Sequence, residues 1–222
     1  MIDQLKKNYL VAILETRRDG AFDAIDAALD HGHSPETVIF KLLIPAMEEM
    51  AAIVESGEEA TLAQLYLASQ ISSQVTERLI PIFSSKVESR GTMIIGTAFE
   101  DFHGLGKKIV SGCLASRLVK VIDLGLNVTA EKFVDTAVEN EASVIGISSM
   151  MVHTARGTNG PSGVRELLIR RGLEDRISLV VGGAPYKFHP ELYRKVGANA
   201  WARDGMTAAG VISDLMGGGR AS

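Results

Sequence analysis

The 222-residue chain is poor in cysteine (one), tryptophan (one) and proline (six), and only 5% of it is aromatic. One thiol cannot build an internal disulfide framework, so a small disulfide-stapled secreted scaffold is excluded and a reducing compartment is expected. Cys113 falls in an apolar helical pattern and reads as a small buried side chain rather than a reactive thiol. No apolar run approaches the ~20 residues that span a bilayer, and the opening "MIDQLKKNYL" lacks the apolar stretch of a secretory signal. A cytoplasmic protein without a membrane partner is expected. Basic clusters are missing too: the net charge is −4, with acids and bases interspersed, which argues against a nucleic-acid partner.

What is there changes character along the chain. Up to about Glu88 the apolar residues keep a helical period. Leu5, Tyr9, Ala12 and Ile13 form one stripe and Phe22, Ile25, Ala28 and Leu29 a second, with Asp19-Gly20 expected to break the chain between them. In "HGHSPET", Ser34 reads as a helix N-cap and Pro35 is preset for the first helical position. Pro45, inside "FKLLIPAMEEMAAIVESG", predicts a kink or a division into a short and a long helix, which Gly57 ends. Leu62, Leu65, Ser69, Ser72, Thr76 and Leu79 trace a last helix. These patterns predict an antiparallel bundle of about four or five helices over residues 1–89.

Beyond Gly91, short aliphatic runs alternate with helical segments. "TMIIGTAF", "VKVIDLG", "SVIGISSM", "ISLVVGGA" and "ANAWA" read as strands buried on both faces. "GKKIVSGCLASRL", "TAEKFVDTAVEN", "PSGVRELLIRR", "HPELYRKVG" and "MTAAGVISDLMG" read as the helices between and after them. Five βα units predict an α/β fold, a five-stranded doubly wound parallel sheet of Rossmann or flavodoxin type, over residues 90–217, with a disordered tail at 218–222. In the strand order 2-1-3-4-5 the ligand site lies outside the carboxyl ends of the first and third strands. The first ends at "AFEDFHGLG" and the third at "GISSMMVHT", while the fourth ends in Gly182-Gly183-Ala184.

Several chemistries compete for that site. A phosphate loop fails because Asp101 stands where its first glycine belongs and Lys108 where its Ser or Thr belongs. A dinucleotide fingerprint fails at Ile109, where a small residue is needed. A phospho-acceptor domain would need an aspartate where Ser148 and Ser149 stand. His103 remains as a candidate metal ligand whose tautomer Asp101 could fix, a helix-capping turn histidine being the alternative. No other His, Cys or acid completes a tetrahedral set at familiar spacing, so a metal here would be one already held by a macrocycle.

Asp101-x-His103-x-x-Gly106, then Ser148, then Gly182-Gly183, resemble the D-x-H-x-x-G, S-x-L and G-G signature of corrinoid-binding domains. "ALDHGHSPETVIFKLLIPAMEEMAAIVESGE" is similar to the helical cap domain of the small corrinoid proteins of anaerobic methyltransferase systems, and "NVTAEKFVDTAVE", "VGGAP" and "GANAWARDG" resemble further segments of that family. The resemblance implies a cobalamin or related corrinoid. His103 would be the lower axial ligand of its cobalt, Asp101 would be hydrogen-bonded behind it, and Phe102 and Gly104 would lie on the same turn. Gly106 would pass the displaced nucleotide tail toward Ser148, Gly182 and Gly183, and Trp201 would lie along the tail near Asp204. A core aromatic of the last strand is an equal reading of Trp201. The chain departs from the pattern at Met150, where the leucine belongs, and at Val152, where a hydroxyl residue is common; Thr154 is the candidate to complete an Asp101-His103 relay. His153 faces solvent or touches the tail, and His31 and His33 read as surface residues.

The resemblance further implies a non-catalytic carrier that takes a methyl group on cobalt from a donor methyltransferase to an acceptor methyltransferase, with a reductive activase as a third partner. The helical bundle would cover the upper face of the corrin, and Glu48, Glu49, Glu55, Glu58 and Glu59 would form a docking face or simply a solvated one. The methyl donor stays open among amines, methanol, betaines and methoxylated aromatics, with aromatic O-demethylation the first expectation. A cobalamin-dependent regulator or sensor shares both domains, but no basic helix or DNA-binding module accompanies them here. An adenosyl-dependent mutase subunit does not carry such a bundle, and a cofactor-free two-domain α/β protein is the remaining alternative.

Overall fold

A computed structural model of the protein describes residues 1–57, 60–83, 90–115 and 117–217. Glu58, Glu59 and the 218–222 tail lie outside these residues. The chain forms two compact units, Met1–Glu88 with Ala115–Leu118, and Ser89–Leu114 with Val119–Ser222.

The first unit is helical: α1 (Ile2–Leu14), α2 (Arg18–Asp30), α3 (Pro35–Val38), α4 (Ile44–Ser56) and α5 (Leu62–Leu79). Leu5, Tyr9, Ala12 and Ile13 are buried along α1, as their spacing predicts. The first break comes earlier than Asp19-Gly20: the chain turns at Thr16, whose φ is 54°, and Asp19 and Gly20 lie inside α2. An acid in the first turn suits the positive end of the helix dipole, which outweighs the turn propensity of the pair. Phe22 is only half-buried, with the Arg18 guanidinium 4.6 Å from its ring centroid, while Ala21, Ala24, Ile25 and Ala28 face inward. Ser34 caps α3 by accepting the Thr37 N–H at 3.2 Å. Pro45 has no N–H, and its ring crowds the carbonyl four residues back. The helix accordingly divides at a π-helical turn, Ile39–Leu43, where the Ile44 N–H donates to the Ile39 carbonyl. Gly57, at φ 76°, ends α4, and a Thr61–Gln64 capping box opens α5. The polar positions of the α5 stripe are buried and bonded, with Ser72 Oγ 2.9 Å from the Tyr9 hydroxyl and the Thr76 hydroxyl donating to the Ser72 carbonyl at 2.9 Å.

The second unit runs β1 (Thr92–Thr97), α6 (Leu105–Ala115), β2 (Lys120–Asp123), α7 (Ala130–Glu139), β3 (Val144–Ser148), α8 (Val152–Arg156), α9 (Pro161–Arg170), β4 (Ser178–Gly182), α10 (Ala184–Phe188), α11 (Leu192–Lys195), β5 (Ala200–Ala202) and α12 (Gly205–Gly217). Its sheet has the order β2-β1-β3-β4-β5, parallel throughout. β1, β3 and β4 are buried as their apolar runs predict. β2 and β5 are not: as edge strands they are only partly covered. The short helices α8 and α10 leave no amphipathic signal, because five residues do not complete a periodic stripe. Ile94, Ile145, Ile147, Leu179 and Val181 of the sheet pack with Phe133 and Val134 of α7 and Val164 and Leu168 of α9. A Cβ at Gly96 would stand 2.8 Å from the Phe133 ring, so this glycine lets α7 lie close on β1. Cys113 is buried. No helix among the described residues is long and apolar enough to cross a membrane.

Candidate functional site

Thr97 and Ser148 are register partners at the carboxyl ends of β1 and β3, where the winding reverses. From Thr97 the chain turns through Ala98, whose N–H donates to the Ser148 carbonyl at 2.9 Å, and through Glu100 at φ 63°. This turn buries Asp101 completely. One carboxylate oxygen, Oδ1, accepts the His103 N–H at 3.0 Å and meets His103 Nδ1 at 3.0 Å. The other, Oδ2, accepts the Met150 N–H at 2.6 Å and the Thr154 hydroxyl at 2.8 Å. The Thr154 hydroxyl has a second acceptor, the Met151 carbonyl, at 2.8 Å. A hydroxyl carries one proton, and the charged acceptor is the stronger.

Burial pushes the Asp101 carboxyl upward, but the N–H groups of His103 and Met150, the Thr154 hydroxyl and the His103 ring outweigh it and hold the group below the usual carboxylate range. An ionised Asp101 places the imidazole proton on Nδ1 and leaves Nε2 as the nitrogen with a free lone pair. The His103 side chain is 57% exposed. The turns that carry it also expose large apolar side chains, Phe102 and Leu105 beside it and Leu126, Met150 and Met151 from the neighbouring strand ends. Among the described residues, no group of three or more His, Cys, Asp or Glu could hold a metal ion.

The glycines divide by what surrounds them. A Cβ at Gly106 would meet only Ser148 Oγ, at 3.6 Å, which is ordinary contact; the chain's own packing does not require glycine there. At Gly182 it would meet the Ala202 carbonyl at 3.3 Å, and at Gly104 the Leu126 side chain at 2.9 Å. Gly183 differs from the sequence expectation. Its φ is 111°, and a Cβ would stand 2.0 Å from the Ser149 carbonyl oxygen, so the chain's own backbone occupies the room this residue leaves.

Trp201 pairs with Val181 and packs on the sheet core, as its structural reading has it. Asp204 caps α12, accepting the Thr207 N–H at 2.8 Å and hydroxyl at 3.0 Å, so its carboxylate is engaged within the chain. His153 is exposed. His31 is exposed and His33 half-buried. The geometry adds residues that pattern reading passes over. Lys107, nearly buried, donates to both Asp123 carboxylate oxygens, at 2.7 and 2.5 Å, tying α6 to the end of β2. Thr97 and Asn127 bond the backbone of the Asp101 turn. A lysine directly after Gly106 was the available signal for the first; a threonine and an asparagine in turns carry none.

Comparison with known proteins agrees with this layout. A B12 binding domain model matches residues 91–210, and a second B12 binding domain model matches residues 5–80. Dimethylamine corrinoid protein 3 of Methanosarcina acetivorans is 29% identical over 206 residues, which cover 92% of this chain and 93% of that one. The fold is shared with a cobalamin-binding protein from Desulfitobacterium hafniense (TM-score 0.77, 19% identity, 95% of this chain and 98% of that chain). It is shared also with the methanol:cobalamin methyltransferase complex MtaBC of Methanosarcina barkeri (TM-score 0.74, 19% identity, 97% of this chain and 81% of that chain). The corrinoid is the cofactor, and the chain belongs to the B12-binding family.

Proposed function

We propose that the protein carries a methyl group on a corrinoid cobalt between a donor-specific methyltransferase and an acceptor methyltransferase, with His103 as the lower axial ligand. The observation that carries the reading is the buried Asp101 carboxylate 3.0 Å from Nδ1 of an exposed His103 at the switch point of the sheet. The residues fit the cofactor. An imidazole with Nε2 free stands among exposed apolar side chains suited to a flat macrocycle, and a glycine at 106 that protein packing does not require leaves clearance beside Ser148. A corrinoid bound there supplies the cobalt that takes up and releases the methyl group.

The chain's own residues bind and orient. Asp101 fixes the ring's tautomer and orientation, while Thr154 and the Met150 N–H keep the carboxylate ionised and in place. Phe102, Gly104, Gly106, Ser148, Met150 and Gly182 complete the bed in this reading, and the division near residues 89/90 separates it from the helical unit. The name of a full-length relative and the methyltransferase complex among the fold neighbours support methyltransferase partners; a reductive activase belongs to the same reading. Among donor classes, a methylated amine is the one that relative's name carries, and it stands ahead of a methoxylated aromatic. The test is reconstitution with hydroxocobalamin. The full chain is expected to turn red with about one cobalt per chain, and H103A to change the spectrum; a colourless product overturns the proposal. Methyl transfer is then assayed with amine, methanol, betaine and methoxyaromatic methyltransferases, and uptake from none of them would remove the carrier role.

A further inference from the structure

The turn that presents Asp101 is held from a neighbouring strand end. Glu100 adopts φ 63°, a conformation that a residue with a Cβ keeps only when its surroundings demand it. The demand comes from Asn127, in the turn between β2 and α7. Its amide oxygen accepts the Glu100 N–H at 2.8 Å, and its own N–H donates to the Asp101 carbonyl at 3.0 Å. The same N–H lies 2.9 Å from Thr97 Oγ1, and the Thr97 hydroxyl donates to that Asp101 carbonyl at 2.5 Å. Asn127 is itself left-handed, at φ 55°, which asparagine tolerates better than most residues. The turn that holds it is locked to β1 on both sides, through Thr97 N–H to the Gly125 carbonyl at 3.1 Å and Val128 N–H to the Thr97 carbonyl at 3.2 Å.

We infer that Asn127 is a positioning residue for His103: it fixes the backbone of Glu100 and Asp101, and through them the carboxylate that orients the imidazole. The hydrogen bonds of Asn127 go to Glu100, Asp101 and Thr97, and none of them reaches the ring or the carboxylate. Those to Glu100 and Asp101 end on the two backbone groups that determine where the Asp101 side chain starts, and Asp101 then bonds both the N–H and the ring of His103. The inference deepens the proposal that His103 is the cobalt ligand and rests on it for its functional meaning.

The test compares N127G, N127D, D101A and H103A in the full chain. N127G keeps the left-handed turn and the N–H but loses the amide oxygen; N127D keeps an acceptor for the Glu100 N–H. The first readout is the ¹⁵N resonances of the His103 ring in cofactor-free protein, which report its tautomer. N127G is expected to move them toward those of D101A, while N127D leaves them near wild type. The second is hydroxocobalamin affinity, expected to fall about 10-fold in N127G and to be largely retained in N127D. Wild-type ring resonances in N127G, or N127D shifted as far as N127G, overturn the inference. H103A separates the two claims: unchanged hydroxocobalamin binding and spectrum in H103A defeat the ligand assignment, while the ring resonances still decide the role of Asn127.

Discussion

The Thr154 hydroxyl reaches the buried Asp101 carboxylate at 2.8 Å across 53 residues of sequence, joining α8 to the turn after β1. Valine at 154 keeps the shape and removes the proton donor, so an ionised, buried oxygen loses a partner. A hydrogen bond to a charged group is worth about 1.5–3 kcal/mol. T154V is expected to lose about that much stability, and T154S to recover most of it. The single tryptophan, Trp201, lies in β5, so its fluorescence during urea unfolding follows this unit. In the corrinoid-loaded protein T154V is expected to alter the cobalt spectrum and its reduction; if neither changes, Thr154 is not part of a relay.

Gly106 and Gly183 are expected to respond in opposite ways to alanine. At Gly183 the positive φ and the Ser149 carbonyl at 2.0 Å from a Cβ leave no place for a methyl group, so G183A loses at least the ~1–3 kcal/mol of a strained backbone. Gly106 lies in the first turn of α6 with only ordinary contact to Ser148 Oγ, and alanine there stabilises a helix by up to about 0.5–1 kcal/mol. Cofactor-free G106A is expected to unfold at or above the wild-type urea midpoint while binding hydroxocobalamin more weakly. Equal affinity for the two proteins would remove Gly106 from the tail path.

Periodicity and punctuation made most of the fold legible. The five apolar runs each contain one strand, and the Ser34-Pro35 start and Gly57 stop fall where their backbone chemistry places them. The site was legible in part. An Asp and a His two residues apart on a turn can be read locally, and the hydroxyl absent at Val152 points to Thr154. The Met150 N–H on Asp101, the Asn127 clamp and the Lys107–Asp123 pair are long-range backbone or side-chain contacts, and no periodic pattern records which turn faces which. Gly183 misleads for the same reason: a glycine pair looks alike whether a ligand or the Ser149 carbonyl fills the space beside it.

The Lys107–Asp123 pair is asymmetric in burial, the lysine side chain being 3% exposed and the aspartate 37%. Removing the aspartate's charge leaves an ammonium buried without its counter-ion, whereas removing the lysine leaves a carboxylate that water can reach. D123N is therefore expected to cost toward the lower end of about 3–5 kcal/mol, and K107M clearly less, because a methionine stem fills the same channel. Urea unfolding followed by Trp201 fluorescence measures both, and equal losses would mean that the lysine is hydrated in solution.

Acid titrates the network of His103, Met150 and Thr154 around Asp101. Burial raises its carboxyl, but the surrounding donors more than compensate, so its folded pKa lies below the unfolded value of about 3.9. A group depressed on folding binds protons more tightly in the unfolded chain, so its stabilising contribution is fully present above that unfolded value. The contribution is lost as pH falls through the folded pKa. D101N removes the titration and replaces one acceptor oxygen by an amide NH2, whose hydrogens then face the donors that this oxygen had accepted. The cofactor-free wild type is expected to be more stable than D101N at pH 7, with the gap narrowing only below about pH 4. Urea midpoints of the two proteins between pH 7 and pH 3 measure it. A gap that stays constant down to the lowest pH at which both fold would show that the carboxylate contributes by shape and not by charge.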